Sequence, residues 1–347
     1  MTDFLDLDGI HTGFVAANRS RAIAAGVDPY EYDRVTAGIG HIREWPDAFI
    51  AAARERSALG ERGSTASREE AARAAALLFH FATVLPDSDE RRRTRAATSA
   101  AEALARALPS AVAVADDHPE EGFRGYLRLP PAEAPPLVIL VPGMNSSAVE
   151  FAGVSDVLLR RGLAVLAIDG PGQGACPGRW QPKFERVVGR AIDALPGFGP
   201  VGIWAMSMGG WLGARATAHE PRVRALVAVS GPGQLRWEEF VPYVSQTFVR
   251  RTGGEPAARG FAAGVDLAAV SARMDRPARI VEGGLDVIPG VSSLAGLPGE
   301  LVLIEDGGHL VEEHRHLWLP QAADWLAQTL QSTPAAQSST PRQPTSG

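Results

Sequence analysis

A largely parallel β-sheet flanked by helices, with a helical region in front of it, is the α/β fold class this sequence predicts. Three observations lead there. Six short apolar runs (137–141, 163–168, 201–204, 223–229, 278–281 and 301–304) alternate with helical or loop segments. The runs are nearly continuous in hydrophobicity, as expected of strands covered on both faces and therefore mostly parallel. Residues 1–110 carry helical spacing with little strand signal, and the run at 201–204 turns abruptly through a Gly-rich segment into a helix-like stretch.

Taken in order, Trp45-Pro46 opens one helix, with proline suited to a first helical position, and Gly60 suits its far end. Ser67-Arg-Glu-Glu70 reads as a capping box. Leu78, Phe81, Ala82 and Leu85 then recur at helical spacing until Pro86 stops the run. An alanine-rich helix over 93–108 ends at Pro109. Segments 111–115 and 123–129, separated by Asp-Asp-His-Pro-Glu-Glu, read as a hairpin. Between 231 and 277 lies a long insertion without a clear strand, of the kind that covers the strand ends where ligands bind. A Ser/Thr/Pro/Gln-rich tail closes the chain and is expected to be disordered. The expected organisation is a helical cap region at 1–110, an α/β domain at 111–330 with a lid at about 231–277, and a tail at 331–347.

The 347 residues are 45% hydrophobic and 21% charged, the balance of a globular protein. A net charge of −6, with no basic run interleaved with aromatics, argues against a nucleic-acid partner. The N-terminus lacks the basic and apolar regions of a signal peptide, and no apolar stretch approaches the roughly 20 residues that span a bilayer. A cytoplasmic protein that does not bind membranes is expected. The single cysteine, Cys176, excludes an internal disulfide and any multi-cysteine metal site, and reads as a free thiol in a Gly/Pro-rich loop. No cofactor or metal is implied.

The chemistry centres on Val201-Gly-Ile-Trp-Ala-Met-Ser207-Met-Gly-Gly210. A serine at a sharp strand-to-helix turn, with small residues two positions either side, is the sequence form of a nucleophile elbow. Ala205 stands where the G-x-S-x-G pattern has its first glycine. A serine hydroxyl needs a neighbouring base, and the base needs a group that fixes its tautomer and stabilises its cation. Asp286, after the 278–281 run, and His309, after the 301–304 run, follow the serine in the order acid then histidine. Their separation of 23 residues accommodates one more strand. Asp286 by itself would read as a turn or cap aspartate, and Asp306 is the competing acid, although three residues before the histidine is a turn position. His314 and His316 read as part of a helix over 312–330 that packs Leu317, Trp318 and Trp325 on the sheet. His219 and His80 read as structural. Oxyanion donors are expected from the backbone N–H groups of Met208, after the nucleophile, and Met144, in the Pro142-Gly-Met turn after the 137–141 strand.

Two phrases carry a family resemblance. Pro142-Gly-Met-Asn-Ser-Ser-Ala-Val-Glu150, and Arg161-Gly-Leu-Ala-Val-Leu-Ala-Ile-Asp169-Gly-Pro-Gly-Gln-Gly174, resemble the α/β-hydrolases with an N-terminal helical cap. That group includes 2,6-dihydropseudooxynicotine hydrolase and the fungal polyketide-shortening hydrolases. The likeness continues through Arg21 to Asp28 and Ile42-Arg-Glu-Trp45-Pro, so it covers most of the folded chain. Ala205 and Ala175-Cys176 depart from the pattern. The resemblance implies the α/β-hydrolase fold and hydrolysis, often of a carbon–carbon bond between a ketone carbon and a stabilised carbanion. It also implies an acidic residue at the start of the lid, which falls on Glu238 here, and helices that close over the site.

The function expected is therefore hydrolysis of a β-dicarbonyl C–C bond or an ester in a small molecule, of catabolic or polyketide type, through an acyl-enzyme on Ser207. One alternative is a non-hydrolytic enzyme of natural-product biosynthesis, eliminating an acyloxy group or cyclising a polyketide. Another is a catalytically silent binding protein. A homodimer formed through the cap is compatible with the sequence.

Overall fold

The computed structural model describes residues 3–86 and 89–332. Apart from residues 331 and 332, the expected disordered tail lies outside the described residues. Five helices precede the first strand: α1 (Ile10–Ala25), α2 (Pro29–Ala37), α3 (Trp45–Gly60), α4 (Thr65–Phe81) and α5 (Glu90–Ala107). Side chains cap three of their N-termini. Asp28 accepts from the Glu31 N–H, Ser64 from Ser67 and Asp89 from Arg92. The capping box expected at Ser67 does not form: Ser64 is the cap, and Ser67 lies within the helix. Either serine is followed by helix formers, and only the backbone path separates them.

The helices enclose Tyr32, Trp45, Phe49 and Phe81, all fully buried. The Trp45 and Phe49 ring centroids lie 4.5 Å apart, and Trp45 Nε1 donates to the Phe81 carbonyl at 2.8 Å. Val149 and Ala152, from beyond the third strand, belong to this same cluster. The helical region therefore shares its core with the rest of the chain.

The main sheet contains β1 (Val112–Asp116), β2 (Phe123–Arg128), β3 (Leu137–Val141), β4 (Ala164–Asp169), β5 (Val201–Met206), β6 (Val223–Val229), β8 (Ala278–Gly283) and β10 (Glu300–Ile304). Their order is β1-β2-β4-β3-β5-β6-β8-β10. The hairpin β1–β2 and the pair β2–β4 are antiparallel, and every other pairing is parallel. β3, β4 and β5 are buried along their whole length, which is why they read as unbroken apolar runs. Helices α6 (Ala152–Leu159), α7 (Phe184–Asp193), α8 (Met208–His219) and α12 (Arg315–Gln331) connect or flank these strands.

The insertion differs from expectation. It opens with a short strand, β7 (Pro232–Leu235), paired antiparallel with β9 (Val291–Ser293), before α9 (Pro242–Thr252), α10 (Glu255–Ala263) and α11 (Leu267–Ser271). Pro232 and Gly233 hid this strand from a propensity reading. The last helix begins at Arg315 rather than 312, because Leu310 and Val311 are left-handed (φ 69° and 50°). Trp318 packs inward on Trp204, with ring centroids 6.0 Å apart. Leu317, expected against the sheet, is exposed instead.

Candidate active site

Ser207 stands between the last residue of β5 and the first of α8, at φ 54° and ψ −131°. Left-handed backbone costs a non-glycine residue on the order of 1 kcal/mol, so the surroundings must hold it. Ser207 N–H donates to the Val229 carbonyl at 2.8 Å, and the Gly210 N–H donates back to the Ser207 carbonyl at 2.7 Å. A Cβ on Gly209 would stand 2.4 Å from the Val141 carbonyl oxygen, so the position two after the serine must be glycine. The position two before it has more room. A Cβ on Gly213 would lie 2.7 Å from the Ala205 Cβ, so the bare Gly213 on α8 is what accommodates the Ala205 methyl. The departure from G-x-S-x-G is compensated in the second turn of the helix.

Asp286 and His309 arrive on loops after β8 and β10. Those loops touch backbone to backbone: Leu285 N–H donates to the Gly307 carbonyl at 2.9 Å, and a Cβ on Gly283 would meet the carbonyls of Gly307 and Gly308 at 2.4 Å. The contact brings His309 Nδ1 to 3.0 and 2.9 Å from the two Asp286 carboxylate oxygens, and His309 Nε2 to 3.0 Å from Ser207 Oγ. Leu310 N–H donates to Ser230 Oγ at 2.9 Å, fixing the left-handed turn after the histidine. Asp306, the competing acid, pairs with His314 Nε2 at 3.2 Å instead. Below Asp286, burial and then the Asp286 charge push the Glu282 carboxyl up to about 8.

Gly143 approaches the serine closely: a Cβ there would lie 2.9 Å from the Ser207 Cβ. Its loop is held from behind by Gln173, fully buried in the Asp169-Gly-Pro-Gly-Gln-Gly174 turn. Gln173 Nε2 donates to the carbonyls of Gly143 (2.9 Å) and Pro142 (3.3 Å), and its Oε1 accepts from Gly170 N–H. Met144 follows in the turn, half-buried, and Met208 is the first residue of α8, where N–H groups lack partners within the helix.

A small cavity of about 40 Å³ opens beside Ser207, with Arg21, Glu150, His309, Glu312 and Arg315 in its wall. Glu150 Oε1 accepts from Arg21 Nε at 2.5 Å and its Oε2 from Arg21 Nη2 at 2.7 Å, with Ser146 Oγ and His80 Nε2 also on Oε2. Burial alone would raise this carboxyl; the Arg21 charge and hydrogen bonds, aided by His80, overcome it and hold it well below the usual range. Arg21 also donates to Asn145 Oδ1 at 3.0 Å. Glu312 is the opposite case: burial first, and the Glu150 charge after it, lift its carboxyl to about 7 against Arg315 and Arg21.

Glu238, expected to be the extra acid, does not line this cavity. Its side chain is 81% exposed and paired with Arg259. The carboxyls at the cavity are Glu150 and Glu312. Sequence reasoning missed Arg21, Glu150, Glu312 and Arg315 as site residues; the local signal was that Arg21 and Glu150 fall within the resemblance phrases. Among the described residues no group of three or more His, Cys, Asp or Glu is arranged to hold a metal ion, and no helix is long and apolar enough to cross a membrane.

Comparison with known proteins bears on the fold that carries this site. Residues 136–277 match the family model described as the alpha/beta hydrolase fold. The chain is 28% identical over 313 residues to 2,6-dihydropseudooxynicotine hydrolase of Paenarthrobacter nicotinovorans, covering 82% of this chain and 84% of that protein. The crystal structure of the 2,6-dihydroxy-pseudo-oxynicotine hydrolase superposes with a TM-score of 0.79 at 24% identity, over 90% of this chain and 95% of the other. AbyA5 superposes with a TM-score of 0.70 at 21% identity, over 91% and 99% of the two chains.

Proposed function

We propose that this member of the α/β-hydrolase superfamily is a serine hydrolase that cleaves a carbon–carbon bond of a β-dicarbonyl compound, or an ester, through an acyl-enzyme on Ser207. The observation that carries the reading is the continuous relay from Asp286 through His309 Nδ1 and Nε2 to Ser207 Oγ, every link at about 3 Å. In this reading His309 takes the hydroxyl proton as Ser207 attacks a carbonyl carbon, and Asp286 holds the tautomer and stabilises the imidazolium. The N–H groups of Met208 and Met144 receive the developing oxyanion. Gln173 supports the second donor by holding the Pro142 and Gly143 carbonyls on the far side of the loop. After the leaving group departs, His309 activates water to hydrolyse the acyl-enzyme.

Preference for the C–C reading over a simple ester is supported by the similarity over most of both chains to 2,6-dihydropseudooxynicotine hydrolase, and by a cavity wall carrying two carboxyls shifted in opposite directions, Glu150 down and Glu312 up to about 7. The test is kcat/KM for an aryl 1,3-diketone and an ester of similar shape, on wild type and Ser207→Ala, with fluorophosphonate labelling of Ser207. Serine-dependent cleavage with faster turnover of the diketone supports the proposal. Preference for the ester reduces it to an esterase. Activity retained in Ser207→Ala, or no labelling, would overturn the acyl-enzyme.

A further inference from the structure

Two polar groups in the wall of the Ser207 cavity have no hydrogen-bond partner: Glu312 Oε2 and Arg315 Nε, both buried. They lie 3.3 Å apart, close enough for charge attraction but not aligned as a hydrogen bond. Around them the other charges are matched. Arg21 is spent on Glu150 and Asn145, and the neighbouring Arg315 Nη1 donates to the Ala24 carbonyl of α1. Buried polar groups are ordinarily satisfied, and a carboxyl beside an unpaired guanidinium N–H in a reaction cavity is complementary to one kind of guest: an oxygen that accepts hydrogen bonds and gains negative charge.

Resting on the C–C hydrolysis reading above, we propose that Glu312 and Arg315 form the leaving-group subsite for a 1,3-dicarbonyl substrate, with Glu312 as the acid that protonates the departing enolate on its oxygen. Ser207 Oγ bonds to the attacked carbonyl carbon and its proton passes to His309. Collapse of the tetrahedral intermediate breaks the C–C bond, and the electron pair moves into the enolate of the second carbonyl. Glu312 gives its proton to that oxygen, Arg315 N–H stabilises it, and the enol leaves and becomes a ketone. The proton held on His309 returns through solvent in the shared cavity to the Glu312 carboxylate. Water then completes hydrolysis, so the sum is substrate plus one water. An ester needs none of this, because its alkoxide leaving group carries its charge on the atom bonded to the attacked carbon.

The groups facing Glu312 set its proton. Arg315 from α12 and Arg21 from α1 favour the charged form, while Glu150, from the segment before α6, and the adjacent Glu313 oppose it. With burial added, the carboxyl keeps its proton to about pH 7. The diketone rate should therefore decline above that pH.

The experiment is the pH profile of kcat/KM on the diketone and the matched ester for wild type, Glu312→Gln and Glu312→Asp, with fluorophosphonate labelling as the control for an assembled site. The expected result is a loss at least tenfold greater for the diketone than for the ester in Glu312→Gln, with the alkaline decline abolished and labelling retained. Glu312→Asp should restore the alkaline decline at a reduced rate. Equal losses on both substrates, or an alkaline decline that survives in Glu312→Gln, would overturn the assignment while leaving C–C hydrolysis standing. If the wild type turns over only the ester, the C–C reading fails and this subsite fails with it.

Discussion

Arg21, in the middle of the first helix, and Glu150, 129 residues later, form a two-pronged ion pair with N–O distances of 2.5 and 2.7 Å at the edge of the Ser207 cavity. Only 12% of the arginine side chain and 8% of the glutamate are exposed. Forked geometry suits a guanidinium and a carboxylate, and burial makes each charge dependent on the other.

Replacing Arg21 by Met should destabilise the fold by about 3–5 kcal/mol, since it strands a buried carboxylate. Thermal melting is the measurement, and its pH dependence carries the diagnosis. Glu150 is held well below its ordinary value, so its contribution is complete above roughly pH 4.5 and lost as pH falls further. In Arg21→Met that acid-side loss should vanish, and the deficit relative to wild type should shrink at low pH. A constant deficit across pH would disprove the role given to the pair.

Gln173→Leu should lower kcat on any substrate by about tenfold to a hundredfold with little change in KM. It removes the donors that fix the Pro142 and Gly143 carbonyls, and an error of about 1 Å in a catalytic loop costs that much. Steady-state kinetics and a melting curve check it together. The lost buried hydrogen bonds should also cost about 1–3 kcal/mol. A fall in KM-dependent affinity with kcat intact would place Gln173 in substrate binding instead.

Gly213→Ala should be harmful in the wild-type background, because its Cβ would sit 2.7 Å from that of Ala205. Overpacking of this kind costs about 1–3 kcal/mol. Combining it with Ala205→Gly should recover part of the loss, while Ala205→Gly alone should change activity little. Chemical denaturation of the four proteins gives the coupling energy, and additive effects would show that the two methyls do not compete.

The strands were legible in the sequence because β3 to β6 are covered on both faces, so burial prints itself as unbroken apolar runs. That Ser207, Asp286 and His309 come together was legible because each follows a strand with its own local turn chemistry, and chain order limits the choices. The cavity wall was not. Arg21, Glu150, Glu312 and Arg315 come from α1, the segment before α6, the turn after His309 and the start of α12, and pairing across such distances leaves no local pattern. Glu238 was misjudged for the same reason: distance along the chain from Ser207 is no guide to which way a residue of the insertion faces. The strand β7 in the insertion was hidden by its proline and glycine, and Ser64 was passed over for Ser67 because both stand at the start of the same helix.

The sharing of one core between α1–α5 and the segment after β3 bears on inheritance. Val149 and Ala152 are packed among the N-terminal helices, and Glu150 between them takes its counter-charge from α1. A chain assembled from residues 111–332 of one ancestor and the helices of another would keep Ser207, Asp286 and His309 intact. It would nevertheless bury a carboxylate with no cation to answer it. Recombination at the junction before β1 is therefore penalised at a site far from the cut, and the two halves of the gene are bound to descend together.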